Sequence, residues 1–321
     1  MIVITGGAGF IGSTLANFFR DEEIIIIDCY EKNLQHYYLT QVNINTRFVN
    51  LDDCISALEK FKDKIKYFYH FGANSSTDQT DLAETIKLNI TWSQYFWDFC
   101  TLNEIPFIYA SSAATYGDGS KGFSDEMPLN KLQKIHINGL YGWSKMYFDL
   151  FVINQAYKNI APPKWYGLKF FNVYGINEKH KGNQSSVIHP FLRQLRESGK
   201  VYLFKSYMED VLDGEQKRDF VSVNYCIEFI NTLTKIEIDN GIYNVGTGKP
   251  KTFLEFSNDI MEAAQISGSV EYIEMPINLR AHYQYFTKSE NIKSKKIHDS
   301  INDFKYKEDL KYIVDHLINE S

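Results

Sequence analysis

The chain has 321 residues, of which 44% are hydrophobic and 23% charged, so one enlarged α/β domain or two domains sharing a cleft are expected. Its net charge is −6, and the sequence has no lysine/arginine block. This charge argues against nucleic acid or an anionic membrane as the main partner and favours small molecules.

The cysteines and the N-terminal residues indicate the cellular compartment. Cys29, Cys54, Cys100 and Cys226 lie far apart and lack the spacing of zinc or redox motifs, so a reducing cytoplasm is expected. Met1–Thr5 runs directly into glycines without the basic region or cleavage site of a signal peptide. No apolar run approaches the ~18 residues of a membrane span.

Short apolar runs alternate with helical patterns through the first half of the chain. This alternation predicts a parallel sheet in a doubly wound Rossmann domain, with ligand sites at the C-terminal ends of its strands. The predicted strands cover residues 2–5, 24–28, 47–50, 67–71, 107–111 and 165–171. The predicted helices cover residues 10–20, 81–100 and 141–156.

After Asn172 the alternation of apolar runs and helical patterns becomes less regular. It predicts a helix over 187–198, a polar stretch over 205–216, a strand over 219–223, a helix over 224–233 and a strand over 241–246. We predict that residues 1–171, with about 219–246 returning to them, form the Rossmann domain. Residues 172–218 and 247–321 are then a smaller α/β domain that binds the substrate.

Gly6, Gly9 and Gly12 stand between the first strand and the first helix, and residues 7–12 satisfy Gly-x-Gly-x-x-Gly. Such a loop brings backbone amides close to a dinucleotide's pyrophosphate, although a glycine-rich turn can also serve packing alone. Asp28, at the end of the second strand, is suited to the adenosine ribose and favours NAD. Lys32 would reverse that preference. Asp52 fits either the adenine edge or a helix cap.

Tyr141 and Lys145 stand four residues apart on one helix face, and Ser112 follows a strand. A free tyrosine hydroxyl, with a pKa near ~10, is a poor base at neutral pH, and an adjacent ammonium favours the phenolate. The group therefore predicts proton transfer to or from a substrate alcohol, coupled to hydride transfer. The alternative is an exposed Tyr–Lys pair. Asn89 is either an internal polar residue or a support for the active-site loop.

Lys181 follows the strand that ends near Asn172, so a second ionisable group is expected beside the cofactor. Two acid/base groups suit an epimerase, which oxidises a carbinol and reduces the ketone from the opposite face. The alternative is a solvated loop lysine. Arg218 is either a bidentate partner for a diphosphate or half of a surface ion pair with Asp219. The histidine spacing predicts no metal site.

Several motifs carry a resemblance to a known family. The glycine loop, residues 111–117, Tyr141-x-x-x-Lys145 and residues 218–221 resemble the extended short-chain dehydrogenase/reductase superfamily. Residues 171–175, 180–182 and 282–287 more specifically resemble the ADP-L-glycero-D-manno-heptose 6-epimerases. This similarity extends over nearly the whole chain. The chain departs from that family at Cys29, at Asn183 in place of serine, at His189, which falls one place early, and in the longer 205–216 stretch.

The resemblance implies a bound NADP, with NAD as the alternative, and C6 epimerisation of ADP-D-glycero-D-manno-heptose for lipopolysaccharide core synthesis. It also implies a cytoplasmic homo-oligomer, pentameric in the family. The alternatives are an epimerase or reductase of a GDP- or UDP-linked sugar, and a non-catalytic dinucleotide sensor.

The implied site residues fall into three groups. The catalytic residues are Tyr141, Lys181, Ser112 and Lys145. The cofactor-binding residues are Gly6, Gly9, Phe10, Ile11, Gly12, Asp28, Cys29, Lys32, Asp52, Phe71, Gly72, Ala73, Asn89, Tyr141, Lys145 and Val173. The substrate-binding residues are Ser112, Asn172, Asn183, His189, Phe204, Arg218 and Tyr283.

Overall fold

The computed structural model describes residues 1–29, 46–76, 80–137, 139–280, 283–301 and 303–320. Its strands are β1 (Ile2–Thr5), β2 (Ile24–Asp28), β3 (Arg47–Asn50), β4 (Tyr67–His70), β5 (Phe107–Ser112), β6 (Trp165–Phe170), β7 (Asn172–Tyr174), β8 (Lys200–Phe204), β9 (Lys217–Arg218), β10 (Phe220–Ser222), β11 (Gly241–Val245), β12 (Lys251–Thr252) and β13 (Ser269–Ile273).

The helices are α1 (Phe10–Phe18), α2 (Cys54–Phe61), α3 (Leu82–Ile86), α4 (Trp92–Leu102), α5 (Leu129–Leu132), α6 (Leu140–Tyr157), α7 (Ile188–Ser198), α8 (Val223–Lys235), α9 (Phe253–Ala264), α10 (Ile277–Arg280), α11 (Lys295–Ser300) and α12 (Tyr306–Asn319). A π-helical turn, Lys87–Thr91, joins α3 to α4. Tight 3₁₀ turns lie at Leu51–Asp53, Lys62–Lys64, Ala113–Tyr116 and Lys179–Gln184.

The central sheet has seven parallel strands in the order β11-β6-β5-β4-β1-β2-β3. Helices cover both faces of its inner strands, which is why β1 and β2 are nearly continuous apolar runs, whereas the edge strand β3 is partly exposed. In β1, Ile2 and Ile4 face one core, whereas Val3 faces the other. The predicted Rossmann sheet is confirmed. Parallel pairing puts the carboxyl ends of β1, β4 and β5 side by side at one edge.

A third core lies outside the sheet. It is formed by residues of α7, β8, α9 and α12, including Phe191, Leu203, Phe256 and Ile313. Three two-stranded sheets, β10-β7, β12-β9 and β13-β8, lie outside the main sheet, and β13-β8 is part of this third core. The return of β11 to the main sheet beside β6 agrees with the predicted strand over 241–246. The domain boundaries themselves stay a prediction.

The predicted helix over 81–100 is interrupted. Residues 87–91 form a π turn, which inserts one residue into the helical repeat and rotates the following residues about the axis. The predicted strand over 219–223 is one residue shorter at each end, since β10 begins at Phe220 and Val223 already begins α8. Within the described ranges, no helix is both long and apolar enough to cross a membrane.

Candidate active site

The glycine loop is folded so tightly that side chains have no room. Gly6 has a φ of +66°, and a Cβ there would lie 2.6 Å from the Gly72 backbone. A Cβ on Gly12 would lie 2.1 Å from the Gly6 carbonyl oxygen. That oxygen accepts a hydrogen bond from the Gly9 amide at 3.0 Å, which closes the turn. The loop therefore presents backbone amides instead of side chains.

The start of α1 fits an anionic group. Its N-cap is Gly9, so no side chain covers the first amides of the helix, including those of Phe10 and Ile11. These amides and the positive end of the helix dipole favour a pyrophosphate. The Asp28 carboxylate holds the loop in place, because it accepts hydrogen bonds from the Ala8 amide at 2.9 Å and the Cys29 amide at 2.8 Å.

The loop after β4 lies against the glycine loop. The Phe71 amide donates to the Thr5 carbonyl at 3.1 Å, and the Gly72 amide donates to the Thr5 hydroxyl at 3.0 Å. Ala73 follows at the same edge of the sheet. These three positions thus join the residues available to a dinucleotide.

Tyr141, Ser112 and Lys145 come together at the carboxyl end of β5. A hydrogen bond joins the Tyr141 and Ser112 side chains. The Lys145 ammonium, on a buried side chain, donates to the Ala110 carbonyl at 2.8 Å. This placement rules out the alternative of an exposed Tyr–Lys pair.

Burial affects both ionisable groups. It raises the pKa of the Tyr141 hydroxyl, while the hydrogen bond to Ser112 acts in the opposite direction. It lowers the pKa of the Lys145 ammonium to about 8, against the opposing effect of Asp149. A positive charge brought beside the phenol would favour the phenolate, which is the form that accepts a proton.

Asn89 ties the loop after β4 to α6. It is 1% exposed and lies in the π turn. Its side-chain oxygen accepts from the Asn74 amide at 2.8 Å, and its nitrogen donates to the Asn74 carbonyl and to the Ser144 hydroxyl, both at 2.9 Å. The Ser144 hydroxyl donates to the Tyr141 carbonyl at 2.8 Å. Asn89 thus supports the loop after β4 and the first turn of α6, which carries Tyr141.

Lys181 is held by a buried carboxylate. Its ammonium lies 3.3 Å from Glu178 Oε2 and 4.2 Å from the centre of the Phe10 ring, at the start of α1. The Lys181 side chain is 26% exposed, so the expectation of a freely solvated loop lysine is wrong. The Lys181 ammonium therefore lies beside the start of α1. Its predicted place beside the nicotinamide stays a prediction.

Glu178 organises the whole segment. It is fully buried and accepts hydrogen bonds from the Gly175 amide at 3.1 Å, the Ser186 amide at 2.9 Å and the Ser186 hydroxyl at 2.6 Å. His189 Nε2 lies 3.5 Å from Glu178 Oε1. Burial opposes ionisation of Glu178, but His189, Lys181 and Ser186 together hold the pKa of this carboxyl below its usual range.

Glu178→Gln should lower the free energy of unfolding by about 2 to 4 kcal/mol, since an amide group would face backbone donors and a lysine inside the protein. Urea unfolding measures this loss. The control is Glu59→Gln, which removes an exposed ion pair with Lys62 and should cost less than about 1 kcal/mol. Equal losses in the two variants would show that Glu178 does not hold the segment.

The Arg218 guanidinium lies close to two aromatic rings. Its guanidinium carbon is 5.2 Å from the centre of the Tyr283 ring and 5.5 Å from that of Phe253. Asp219 is buried and accepts from the amides of Thr247, Gly248 and Ser289 at 2.7 to 2.8 Å. The alternative of a surface ion pair between Arg218 and Asp219 is therefore wrong, because both side chains are buried in separate contacts.

Some of the remaining predicted site residues make contacts inside the protein, and others are exposed or lie outside the described residues. Asn172 accepts from the Thr287 hydroxyl at 3.0 Å, Val173 follows it in β7, and the Phe204 ring lies 6.3 Å from that of Tyr283. Asn183 and Cys29 are exposed. Asp52 is exposed 3.6 Å from Lys87, and the cap of its turn is Asn50, so the helix-cap alternative is wrong. Lys32 and His282 lie outside the described residues.

Sequence reasoning missed Glu178, Ser144 and Asn74. Glu178 stands three residues before Lys181, a spacing that brings side chains together in a helical turn and was the one available signal. Ser144 and Asn74 act through hydrogen bonds to the backbone, which no sequence pattern reveals.

Comparisons with known proteins place the chain in a family. The model of the NAD dependent epimerase/dehydratase family matches residues 2–246. The ADP-L-glycero-D-manno-heptose-6-epimerase of Fusobacterium nucleatum is 39% identical over 313 residues, covering 92% of each chain. That of Alkalilimnicola ehrlichii is 36% identical over 299 residues, covering 90% of this chain and 89% of its own.

Solved structures share the fold. The Helicobacter pylori ADP-L-glycero-D-manno-heptose-6-epimerase matches with a TM-score of 0.79 and 24% identity, covering 99% of this chain and 96% of its own. A UDP-N-acetylglucosamine 4-epimerase from Methanobrevibacter ruminantium matches with a TM-score of 0.82 and 22% identity, covering 100% and 98%. From its family match and its relatives, the chain belongs to the NAD dependent epimerase/dehydratase family.

Proposed function

We propose that the protein inverts C6 of ADP-D-glycero-D-manno-heptose to give ADP-L-glycero-D-manno-heptose, for lipopolysaccharide core synthesis. The observation that carries this proposal is a pair of ionisable groups at the carboxyl edge of the main sheet: Tyr141, bonded to Ser112 at the end of β5, and Lys181, held above Phe10 after β1. The names of relatives 36–39% identical to the chain support the substrate.

The cofactor of this family is a nicotinamide dinucleotide, and Gly6, Gly9, Gly12 and the start of α1 would hold its pyrophosphate. When bound, it supplies the hydride acceptor for oxidation at C6 and the hydride donor for reduction. We propose NADP as the form used. The coenzyme released from the purified protein by denaturation should carry a 2′-phosphate, and recovery of NAD alone would contradict this.

The proton transfers belong to the chain's own residues. Ser112 hydrogen-bonds the C6 oxygen, and Tyr141 or Lys181 takes the hydroxyl proton while the other returns a proton on the opposite face of the ketone. Lys145 favours the phenolate of Tyr141 by its charge. The Arg218 guanidinium lies between the rings of Phe253 and Tyr283. In this proposal it binds the diphosphate, with Tyr283 beside it.

The test is turnover of ADP-D-glycero-D-manno-heptose without added coenzyme. The wild type should epimerise it, and Lys181→Met should be slowed about a hundredfold or more. Lys179→Met is the matched control, because Lys179 is exposed in the same turn and pairs with Glu320. Full activity of Lys181→Met would contradict a two-residue mechanism, and no turnover by the wild type would favour a dinucleotide sensor.

A GDP- or UDP-linked sugar is the alternative substrate. The same assay on a panel of nucleotide sugars decides between them, with the ADP-linked heptose expected to give the highest kcat/KM. A stoichiometric need for added NADPH would instead indicate a reductase. The homo-oligomer, pentameric by resemblance, and the cytoplasmic location stay predictions.

A further inference from the structure

The catalytic helix carries a third polar residue on the face of Tyr141 and Lys145. Asp149 lies one turn after Lys145 and is fully buried. Its carboxylate accepts hydrogen bonds from the Tyr109 hydroxyl at 2.9 Å and the Ser111 hydroxyl at 2.8 Å, both on β5. Asp149 thus fixes the helix against the strand that ends in Ser112.

Lys169 of β6 is the positively charged partner of Asp149. Its ammonium lies 2.9 Å from Asp149 Oδ2, with 3% of the Lys169 side chain and 1% of the Asp149 side chain exposed. It also donates to the Thr115 hydroxyl, which in turn donates to the Ser112 carbonyl at 2.7 Å. One buried ion pair therefore connects α6, which carries Tyr141, with the turn that carries Ser112.

Stability alone does not account for this pair. Removing two charges from water is costly, and an apolar pair of similar volume is often as stable or more so. The pair is almost completely shielded from solvent, and it stands directly beneath the residues proposed to transfer protons.

Apart from Lys145 and the ion pair, the titratable groups packed around the phenol are neutral at physiological pH. In the part of the chain that the structure describes, they are Tyr109, Tyr116 and His70. Burial lowers the pKa of His70 to about 3 and raises those of Tyr109 and Tyr116 well above their usual values. The charged groups beneath the phenol are therefore the ion pair of Asp149 and Lys169.

We propose that Asp149 and Lys169 are positioning residues that hold Tyr141 opposite Ser112 and keep the charge beneath the phenol balanced. This inference rests on the proposed function only in giving Tyr141 a catalytic role. Asp149 raises the pKa of the phenol, and the charge of Lys169 beside it offsets this effect, so that the charge of Lys145 can act on the phenol.

This charge balance predicts that two single variants shift the pKa of Tyr141 in opposite directions. Lys169→Met leaves a negative charge beneath the phenol, so the pKa of Tyr141 should rise by about one unit. Asp149→Asn leaves a positive charge, so the same pKa should fall by about one unit. In the double variant both charges are gone, and the pKa should return to the wild-type value. Lys169→Arg keeps the charge and should not move it.

The experiment titrates the full-length protein with its bound coenzyme, with 13C at Cζ of its tyrosines. The signal of Tyr141 is identified by its loss in Tyr141→Phe, and its pKa is measured without substrate. In parallel, the acidic limb of the epimerisation pH profile should move in the same directions. A purely structural pair would lower stability without shifts of opposite sign.

Unchanged pKa values, or shifts of the same sign in both single variants, would overturn the proposal. Asp149→Asn is nearly isosteric, so its comparison with the double variant decides the question even where Lys169→Met does not fold. Absence of turnover with the predicted pKa shifts would contradict the proposed function alone. Normal turnover with unmoved pKa values would contradict this inference alone.

Discussion

Tyr141→Phe should slow epimerisation about a thousandfold, because the phenol is the group bonded to Ser112 and placed to exchange a proton with the substrate. The substitution removes one oxygen and leaves the ring, so the fold and the coenzyme content should not change. The measurement is kcat with the ADP-linked heptose, together with the coenzyme released from the purified variant.

The matched control is Tyr147→Phe. Tyr147 lies on the same helix, but it is 43% exposed, whereas Lys145 and Asp149 on the face of Tyr141 are buried. Its variant should keep wild-type kcat. A Tyr141→Phe variant with more than about a tenth of wild-type activity would be incompatible with the catalytic role given to the phenol.

Gly12→Ala should abolish coenzyme retention and lower the free energy of unfolding of the apoprotein by about 2 kcal/mol or more. The added Cβ would lie 2.1 Å from the Gly6 oxygen and 2.8 Å from its carbonyl carbon. Both are backbone atoms, so the turn that presents the amides has to open. Coenzyme content and urea unfolding of the apoprotein measure the two effects.

Gly9→Ala is the comparison within the same loop. Gly9 has extended backbone angles that alanine adopts, and its Cβ would meet only the Gly6 oxygen, at 3.3 Å. The apoprotein should therefore lose less than about 1 kcal/mol of stability. If Gly12→Ala lost no more stability than Gly9→Ala, the close approach of α1 to Gly6 would not be what shapes this loop.

The strands of the main sheet could be predicted because both of their faces are buried. Continuous apolar runs such as Ile24–Ile27 indicate buried parallel strands when helical patterns alternate with them. The π turn over 87–91 could not be predicted, since the apolar pattern around it continues as in an ordinary helix. Within the turn lies a buried amide, Asn89, that bonds Asn74 in the loop after β4, a contact that the sequence does not reveal.

Part of the candidate site could be predicted because its motifs are local in the sequence. Gly12, Tyr141 and Lys145 belong to local motifs whose spacing follows from a turn or a helix repeat. Glu178 and Asp149 act on side chains that folding brings to them, and the sequence does not show which side chains those are. Pairing across elements, as between Asp149 and Lys169, depends on strand order and only the structure shows it.

The central claim is that C6 is oxidised and reduced within one closed site. Its most direct test is epimerisation of the ADP-linked heptose carrying deuterium at C6, in ordinary water and with excess unlabelled free coenzyme. The product should keep the deuterium at C6, because the hydrogen removed from that carbon does not exchange with solvent. Loss of the label to water would show that inversion proceeds by removing C6 hydrogen as a proton, which would contradict the account.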